Sequence, residues 1–479
     1  MSSSVALATD VDTAIVESVR RWAQKELNDQ AIERAGRIES HLLATLADLG
    51  VFGLTVPQAY GGVGAGLPLA TRVVEVLATY DRSVATSVGL HLGLGTRAPV
   101  AFGHEKQKAT WLPRFSSGAC IGAFATTEPG SGSDLSKLST RVTLTGQFLR
   151  LSGEKAYVTN GAFAGTLTVT ARSDGQGGLP QGTVMVLVPT DTPGLKRLPE
   201  ERKLGLRASS TTGFVFDDVH VPQGNLIGTP ATGAAQLEHT LAWGRTLMSS
   251  GCVGAAFKAL KLARDHATLR RQFGRALIAQ PVVRAQVARA EVTLRAMRAL
   301  VAWAAHQERD EDLHRASVSA KVFCSEQGAH IVDTALQLHG AGGYMEDTGL
   351  ALLWRDVRVT RIFEGANDVL LTHAGALEIK APRAADNVPP EAHRVARAVE
   401  RHARALRDSL GVRVFSRPEL LHQLGQAVVW RDALTAHCRQ SDHAPSRRVL
   451  VREARDNLLR LRTPWHHRND LDAVLSLEP

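Results

Sequence analysis

Apolar residues recur at intervals of three and four over residues 12–27, 31–49 and 68–80, which predicts amphipathic helices in the first 122 residues. Gly-rich breaks separate them, among them Tyr60-Gly61-Gly62-Val63-Gly64-Ala65-Gly66. From residue 123 the period changes. Arg141–Thr145 alternates strictly, and Gly165–Thr170, Gly182–Val188 and Gly213–Val219 are rich in β-branched residues with turn residues between them. That texture predicts a small β-barrel or sandwich. Helical spacing returns over 234–269, 282–308 and 313–338, long helices with short joints that suggest an antiparallel bundle. Residues 381–393 read as a linker into a further helical stretch. The expected class is α+β multidomain. It comprises an N-terminal α-helical domain (1–122), a middle β-barrel or sandwich (123–235), a C-terminal four-helix bundle (236–380) and a helical extension (381–479). Helices, strands and helices in that order are not the alternation of a Rossmann domain, and no G-x-G-x-x-G opens a helix, so a nucleotide would bind in another kind of site.

Composition narrows the class. Hydrophobic residues at 44% and charged residues at 22% of 479 exclude a fibrous or wholly disordered chain. No apolar run approaches the length of a transmembrane helix. The first residues carry Asp10, Asp12 and Glu17 without a long apolar run, which suits neither a secretory signal nor a transit peptide. Cys120, Cys252, Cys324 and Cys438 are far apart and form no CxxC pair, so we expect no metal site, no disulfide framework and a reducing cytoplasm. The net charge of +9 is mild and calls for no nucleic acid. Residues 381–479 nevertheless carry 17 Arg, no Lys and 12 acids, a net +5. They read as solvated helix faces or as a contact surface for an acidic partner or membrane.

Four segments carry candidate chemistry. Phe124–Asp134 (FATTEPGSGSD) offers small residues for close backbone approach and hydroxyls for hydrogen bonds. In Gly153–Gly161 (GEKAYVTNG), Tyr157 and Thr159 stand two apart, so on a strand they share a face that could cover a ring and bond its edge. Arg270-Arg271-Gln272-Phe273-Gly274 suits a pyrophosphate, or else a helix end with cations and a glycine cap. Finally Gln337–Tyr344 (QLHGAGGY), Arg355–Arg358 (RDVR) and Ile362–Asp368 (IFEGAND) place Glu364 between Phe and Gly, a candidate base whose pKa burial would raise.

Each segment alone has an ordinary reading as turn, strand or surface charge. Together, in this order, they resemble the acyl-CoA dehydrogenase family of flavoproteins over about residues 10–380. Leu49–Leu54, Phe102–Lys108 and Phe216–Pro222 support the resemblance. It implies FAD bound between the β-domain and the bundle. Thr127 would bond the pyrimidine side of the flavin, Tyr157 would pack on it, and Thr159 would bond N5. Ser133 would serve both FAD phosphate and the acyl-CoA arm. Arg270, Gln272 and Phe273, with Gln337, Gly340 and Ala341, would reach the FAD of a neighbouring subunit. Ala366 and Asp368 fall at further FAD positions, and Arg245 and Gly365 near the substrate. Glu364 matches the catalytic base. A subset of the family carries the base immediately before the residue that is Arg245 here, and that place is Gly244.

The implied reaction removes a Cα proton and a Cβ hydride from an acyl thioester. It gives the trans-2-enoyl thioester, with electrons passing on to an acceptor such as an electron-transfer flavoprotein. Ala341, Ala366 and Ala242 depart from the family pattern, and the last leaves CoA and a carrier protein both open as the thioester's bearer. The motif about Glu364, the helix near Gly89-Leu90-His91 and the extension look most like the very-long-chain branch. An extension packed on the bundle would occupy tetramer-forming surface, so we expect a homodimer. The competing readings are a flavin-dependent oxidase or monooxygenase on the same fold, against which Glu364 counts, and a non-catalytic assembly factor.

Overall fold

The computed structural model describes residues 10–179, 181–228, 233–441 and 443–459. The first texture becomes α1 Asp10–Glu26, α2 Asp29–Ala35, α3 Ser40–Asp48, α4 Leu67–Tyr80, α5 Arg82–Leu90, α6 Arg97–Phe102 and α7 Glu105–Ser116. The one helix expected over 31–49 is therefore two. Gly36 takes φ 64° and its N–H closes on the carbonyls of Ile32 and Glu33, which ends α2 in a left-handed cap. Between α5 and α6 the chain widens into a π turn, His91–Gly95. His91 is buried there, accepting from the Gly122 N–H at 3.0 Å and lying 3.3 Å from the Phe52 carbonyl. Burial lowers its pKa to about 4. It is thus a neutral peg between the helical domain and the first strand.

The second texture becomes β1 Gly122–Ala125, β2 Arg141–Thr145, β3 Phe148–Thr159, β4 Thr166–Asp174, β5 Gln181–Pro189, β6 Leu195–Glu200, β7 Thr211–Pro222 and β8 Leu226–Ile227. They form one sheet in the order β6-β7-β3-β2-β4-β5-β8, with β1 parallel to β4. The β-branched runs named above supply inward residues such as Val142, Val169, Val186 and Phe216. Strands β1, β6 and β8 are too short or too polar to announce themselves by alternation.

The third texture becomes α8 Gly233–Leu269, a two-rung hairpin of β9 Arg271–Gln272 and β10 Arg275–Ala276, α9 Pro281–Ala305 and α10 Asp310–His339. There follow α11 Ala341–Tyr344, α12 Leu350–Arg358 and α13 Asn367–Lys380, then α14 His393–Leu410, α15 Pro418–Gln440 and α16 Ala444–Leu459. Among the described residues no helix is long and apolar enough to cross a membrane.

The extension shares the core of the bundle. Val395, Val399, Leu421 and Leu450 pack in one cluster with Leu370 and Leu371. Where α15 crosses α13, glycine is required on both sides. A Cβ on Gly375 would stand 2.0 Å from the Leu421 carbonyl oxygen, and one on Gly425 would stand 1.9 Å from that of Leu371. A buried ion network locks the crossing. Arg431 grips Glu378 through both terminal nitrogens at 2.6 and 3.0 Å and donates to Asp432 at 3.0 Å. Asp432 also accepts from Ser319 at 2.7 Å and Arg383 at 3.1 Å. Burial alone would raise the Asp432 carboxyl, but Arg431 and Arg383 outweigh it and hold the pKa below its ordinary value. Arginines remain exposed along the outer side of α14 at Arg394, Arg397, Arg401 and Arg404.

Removing one partner of such a network strands the others without water. Arg431→Met should cost about 3–5 kcal/mol in urea unfolding, and Arg431→Met with Glu378→Leu should cost less than the single change. An Arg431→Met protein within about 1 kcal/mol of wild type would show that the network does not hold the extension in place.

Candidate active site

A single turn carries the candidate base. Glu364 and Gly365 follow α12 and precede α13, and both take positive φ, 55° and 98°. For Glu364 that conformation is strained and needs support from its surroundings. Two buried cations supply it. Arg245, from the middle of α8, donates through Nε to the Glu364 carbonyl at 3.2 Å. Lys321, from α10, donates to the Gly365 carbonyl at 2.7 Å and to Asn367 Oδ1 at 2.7 Å. Consecutive carbonyls are thus held from two different helices. Asn367 is held in turn, donating to Ser325 Oγ at 2.9 Å and Glu326 at 2.6 Å.

The carboxylate itself is left alone. Glu364 keeps part of its residue surface, yet Oε2 is buried and has no hydrogen-bond partner among the described residues. Burial raises its pKa to about 7, against the opposing charges of Arg245 and Lys321. No hydrogen bond to the Glu364 N–H is present among the described residues either. A bare carboxylate oxygen beside a free backbone donor is an arrangement that can take a proton from carbon while an adjacent carbonyl is polarised. Arg245 Nη1 is a further buried group without a partner.

The β-domain meets this turn through an unbroken chain of contacts. Asn160, at the end of β3, donates to the Ser87 carbonyl of α5 at 2.9 Å. The π turn that follows α5 packs on α8, where a Cβ on Gly244 would lie 2.5 Å from Leu94 Cδ2 and 2.9 Å from Glu364 Oε2. At the same end of β3 the register against β7 shifts between Lys155 and Val158. That bulge throws Tyr157, at φ 56° and 65% exposed, out of the ladder. The Ala156 N–H donates to the Thr127 carbonyl at 2.8 Å, which brings the Thr127 loop against the end of β3 that carries Tyr157 and Thr159. The hydroxyls of Thr127 and Thr159 make no hydrogen bond among the described residues. Ser133 is exposed further along the same loop.

Sequence reasoning missed what fixes that loop. Lys155 is fully buried and donates to Glu128 at 2.8 Å and to the Thr126 carbonyl at 2.9 Å. Glu128 also accepts from the N–H groups of Ser139, at 2.6 Å, and Thr140, at 3.0 Å. Both charged residues stood inside segments already singled out. Neither was marked by its neighbours, since Lys155 follows Glu154 and Glu128 precedes Pro129, whereas Lys321 in Ala316–Ser325 is a lone charge among small and apolar residues.

Arg270, Gln272 and Phe273 lie elsewhere, on the exposed hairpin beyond α8. Phe273 is at φ 53° and 92% exposed. His266 and His339 stack with ring centroids 4.2 Å apart, which brings this hairpin beside Gln337, Gly340 and Ala341 at the end of α10. Arg245 and Leu269 are 24 residues apart on one helix, about 36 Å along its axis. The structure therefore separates the expected cofactor residues into two groups at opposite stretches of α8. Ala366 precedes α13, while Asp368 is exposed and its side chain lies 3.4 Å from His422 of the extension. A cleft of about 670 Å³ between bundle and extension touches Asn367 and Asp368, but neither Glu364 nor Arg245 lines it.

Three family models match the chain: the acyl-CoA dehydrogenase N-terminal domain over residues 9–119, the middle domain over 123–219 and the C-terminal domain over 231–376. The chain is 34% identical to a Bacillus subtilis acyl-CoA dehydrogenase, covering 73% of this chain and 93% of the relative. It belongs to the acyl-CoA dehydrogenase family. The human mitochondrial very long-chain specific acyl-CoA dehydrogenase is 32% identical over 74% of this chain, and the chain spans 56% of that relative's length. In fold, a Bacillus anthracis acyl-CoA dehydrogenase solved with FAD superposes with a TM-score of 0.85 at 24% identity. It covers 94% of this chain and 87% of its own. That fold likeness extends past residue 376, so the helical extension is shared in fold with a solved structure.

The raised pKa of Glu364 makes a stability prediction independent of turnover. A carboxyl with its folded pKa near 7 contributes stability below its unfolded value, and that contribution is lost as pH rises through about 7. Glu364→Gln carries no such dependence. The mutant should therefore gain on wild type by on the order of 2 kcal/mol between about pH 5.5 and pH 8. Unfolding measured at both pH values checks this, and an equal difference at the two would show that Glu364 is not held protonated.

Proposed function

We propose that the protein is an FAD-dependent dehydrogenase that converts an acyl thioester to its trans-2-enoyl thioester, with Glu364 as the base. The observation that carries this is the buried, partnerless Glu364 Oε2 on a turn clamped at both carbonyls. FAD is the cofactor, and the residues present fit it. The bulged and bare Tyr157 ring, with free hydroxyls at Thr127 and Thr159, suits a flat heterocycle with polar edges. Thr127, Ser133, Tyr157 and Thr159 would hold it on the β-domain side. When bound, it supplies a hydride acceptor for the substrate Cβ–H.

The chain's own residues do the rest. Burial disfavours the ionised form of Glu364 and so raises its basicity toward working pH. Arg245 and Lys321 hold the turn and keep ionisation accessible. The free Glu364 N–H is available to a thioester carbonyl oxygen as negative charge develops on it. Glu364→Gln keeps size and shape but cannot accept the proton. Flavin reduction by a good thioester should fall by about 10⁴-fold or more, the upper end for a positioned base, with FAD content unchanged. Stopped-flow bleaching within tenfold of wild type would defeat the assignment.

The second group of cofactor residues supports a homodimer. Arg270 and Phe273 stand at the end of α8 about 36 Å from Arg245, so they would serve the FAD of a second copy, beside Gln337, Gly340 and Ala341. Phe273→Asp leaves the monomer's core untouched, because that side chain is 92% exposed. It should lower FAD content several-fold and weaken dimerisation, as read by absorbance and light scattering. Full FAD content in a monomer would overturn this reading. A long acyl group, CoA or a carrier protein as its bearer, and an electron-transfer flavoprotein as acceptor complete the proposal.

A further inference from the structure

Lys321 is the least expected group near the base. It is fully buried in the middle of α10, among small and apolar neighbours. A buried ammonium is normally matched by a carboxylate in contact. Here its hydrogen-bond partners are the neutral Gly365 carbonyl and Asn367 Oδ1, both at 2.7 Å. Neither belongs to a helix interior. One is the carbonyl of the catalytic turn, and the other is the first side chain of α13. The ammonium therefore spans the joint between turn and helix. The charged and titratable groups that face it are Glu364 from the turn, Arg245 and Cys252 from α8, and Glu326 from α10 itself. Glu364 in turn is faced by Arg245 and Lys321.

We propose that Lys321 is the positioning residue of the base. Through the Gly365 carbonyl and Asn367 it fixes the left-handed turn that aims the Glu364 carboxylate, and its positive charge favours the ionised form. The inference rests on the reading of Glu364 as the base. Arg245 performs the matching task on the preceding carbonyl, but its Nη1 is buried without a partner. Lys321 has no such unpaired nitrogen. Its contacts run to the turn and α13, so it acts through Glu364 and not on a substrate. Burial draws its own pKa down to about 8, with Glu364 opposing that change. The clamp is thus intact where Glu364 titrates.

The test compares wild type, Lys321→Met and Lys321→Gln as FAD-loaded protein. Lys321→Met removes both donor and charge, whereas Lys321→Gln retains a donor without charge. Flavin reduction by butanoyl-, octanoyl- and hexadecanoyl-CoA is followed across pH. The Glu364 carboxyl band is followed separately by infrared difference against Glu364→Gln. Lys321→Met should lower the reduction rate at neutral pH by tenfold or more and move its acid limb up by about one pH unit, the lower end expected when a nearby opposite charge is lost. The infrared band should move by the same amount. Lys321→Gln should recover part of the rate and none of the pH shift. A lowered rate with an unmoved limb and band would overturn the proposal, since that is what a merely structural lysine gives. Failure of both variants to yield folded flavoprotein would overturn it too, by assigning Lys321 to the stability of α10. If wild type is bleached by no thioester, the dehydrogenase reading fails. The infrared titration still decides whether Lys321 sets the state of Glu364.

Discussion

A carboxylate that must accept a proton from carbon cannot be satisfied by its own protein. Every hydrogen bond given to it lowers its basicity, and every one withheld makes burying it more unfavourable. With Glu364 as the proposed base, this chain manages that conflict at a single turn. The carboxylate oxygen is left bare, and the stabilising bonds go to the peptide carbonyls of the Glu364–Gly365 turn. Arg245 and Lys321 thereby bring positive charge close without quenching the group. The strained φ of Glu364 follows from the same arrangement. A residue in a regular helix would have its carbonyl taken by the helix and its side chain set by helical rotamers.

Much of the surrounding structure serves to hold the two cation-bearing helices and the turn in register. α8 and α10 are among the longest elements, and each carries its cation where small residues surround it. α13 begins two residues after Gly365, so anything that shifts α13 shifts the turn. The extension bears on that helix directly, through the Gly375–Gly425 crossing and the Arg431–Glu378–Asp432 network. The Arg-rich tail therefore has a buried half that supports the segment carrying Glu364, besides the exposed arginines of α14. On the β-domain side the same device recurs. Buried Lys155 and Glu128 bond backbone groups around the Thr127 loop and leave the Thr127 hydroxyl free.

The large divisions of the fold were legible in the sequence because periodicity changes sharply near residues 123 and 233. The candidate site was legible where short motifs carry unusual residue types, as at Glu364, Tyr157 and Arg270. Three things were not. The break at Gly36 depends on a single left-handed residue inside a continuous apolar period. The depth of the extension in the core depends on two glycines meeting across a crossing, and a glycine in a helical pattern does not name its partner. The roles of Lys155 and Lys321 depend on burial, and a lysine is ordinarily a solvated residue. For Lys321 the local pattern was visible, a lone cation among small and apolar neighbours, whereas Lys155 directly follows Glu154 and carried no such mark. What either bonded was a matter of tertiary contact.

Gly244 gives the last physical constraint. In the sequence it is simply the place where some relatives carry the base. In the fold it lies against Glu364, because a Cβ there would stand 2.9 Å from Oε2. A side chain at 244 and the Glu364 carboxylate would therefore compete for one space. They are not free alternatives in this chain, since Leu94 Cδ2 would stand 2.5 Å from that same Cβ. The π turn pushes Leu94 into the space that a side chain on α8 would need. Gly244 is thus the counterpart of Leu94, and moving the base to α8 would require trimming Leu94 as well as changing Gly244. The room for a carboxylate on α8 is thus set by how the π turn packs against that helix.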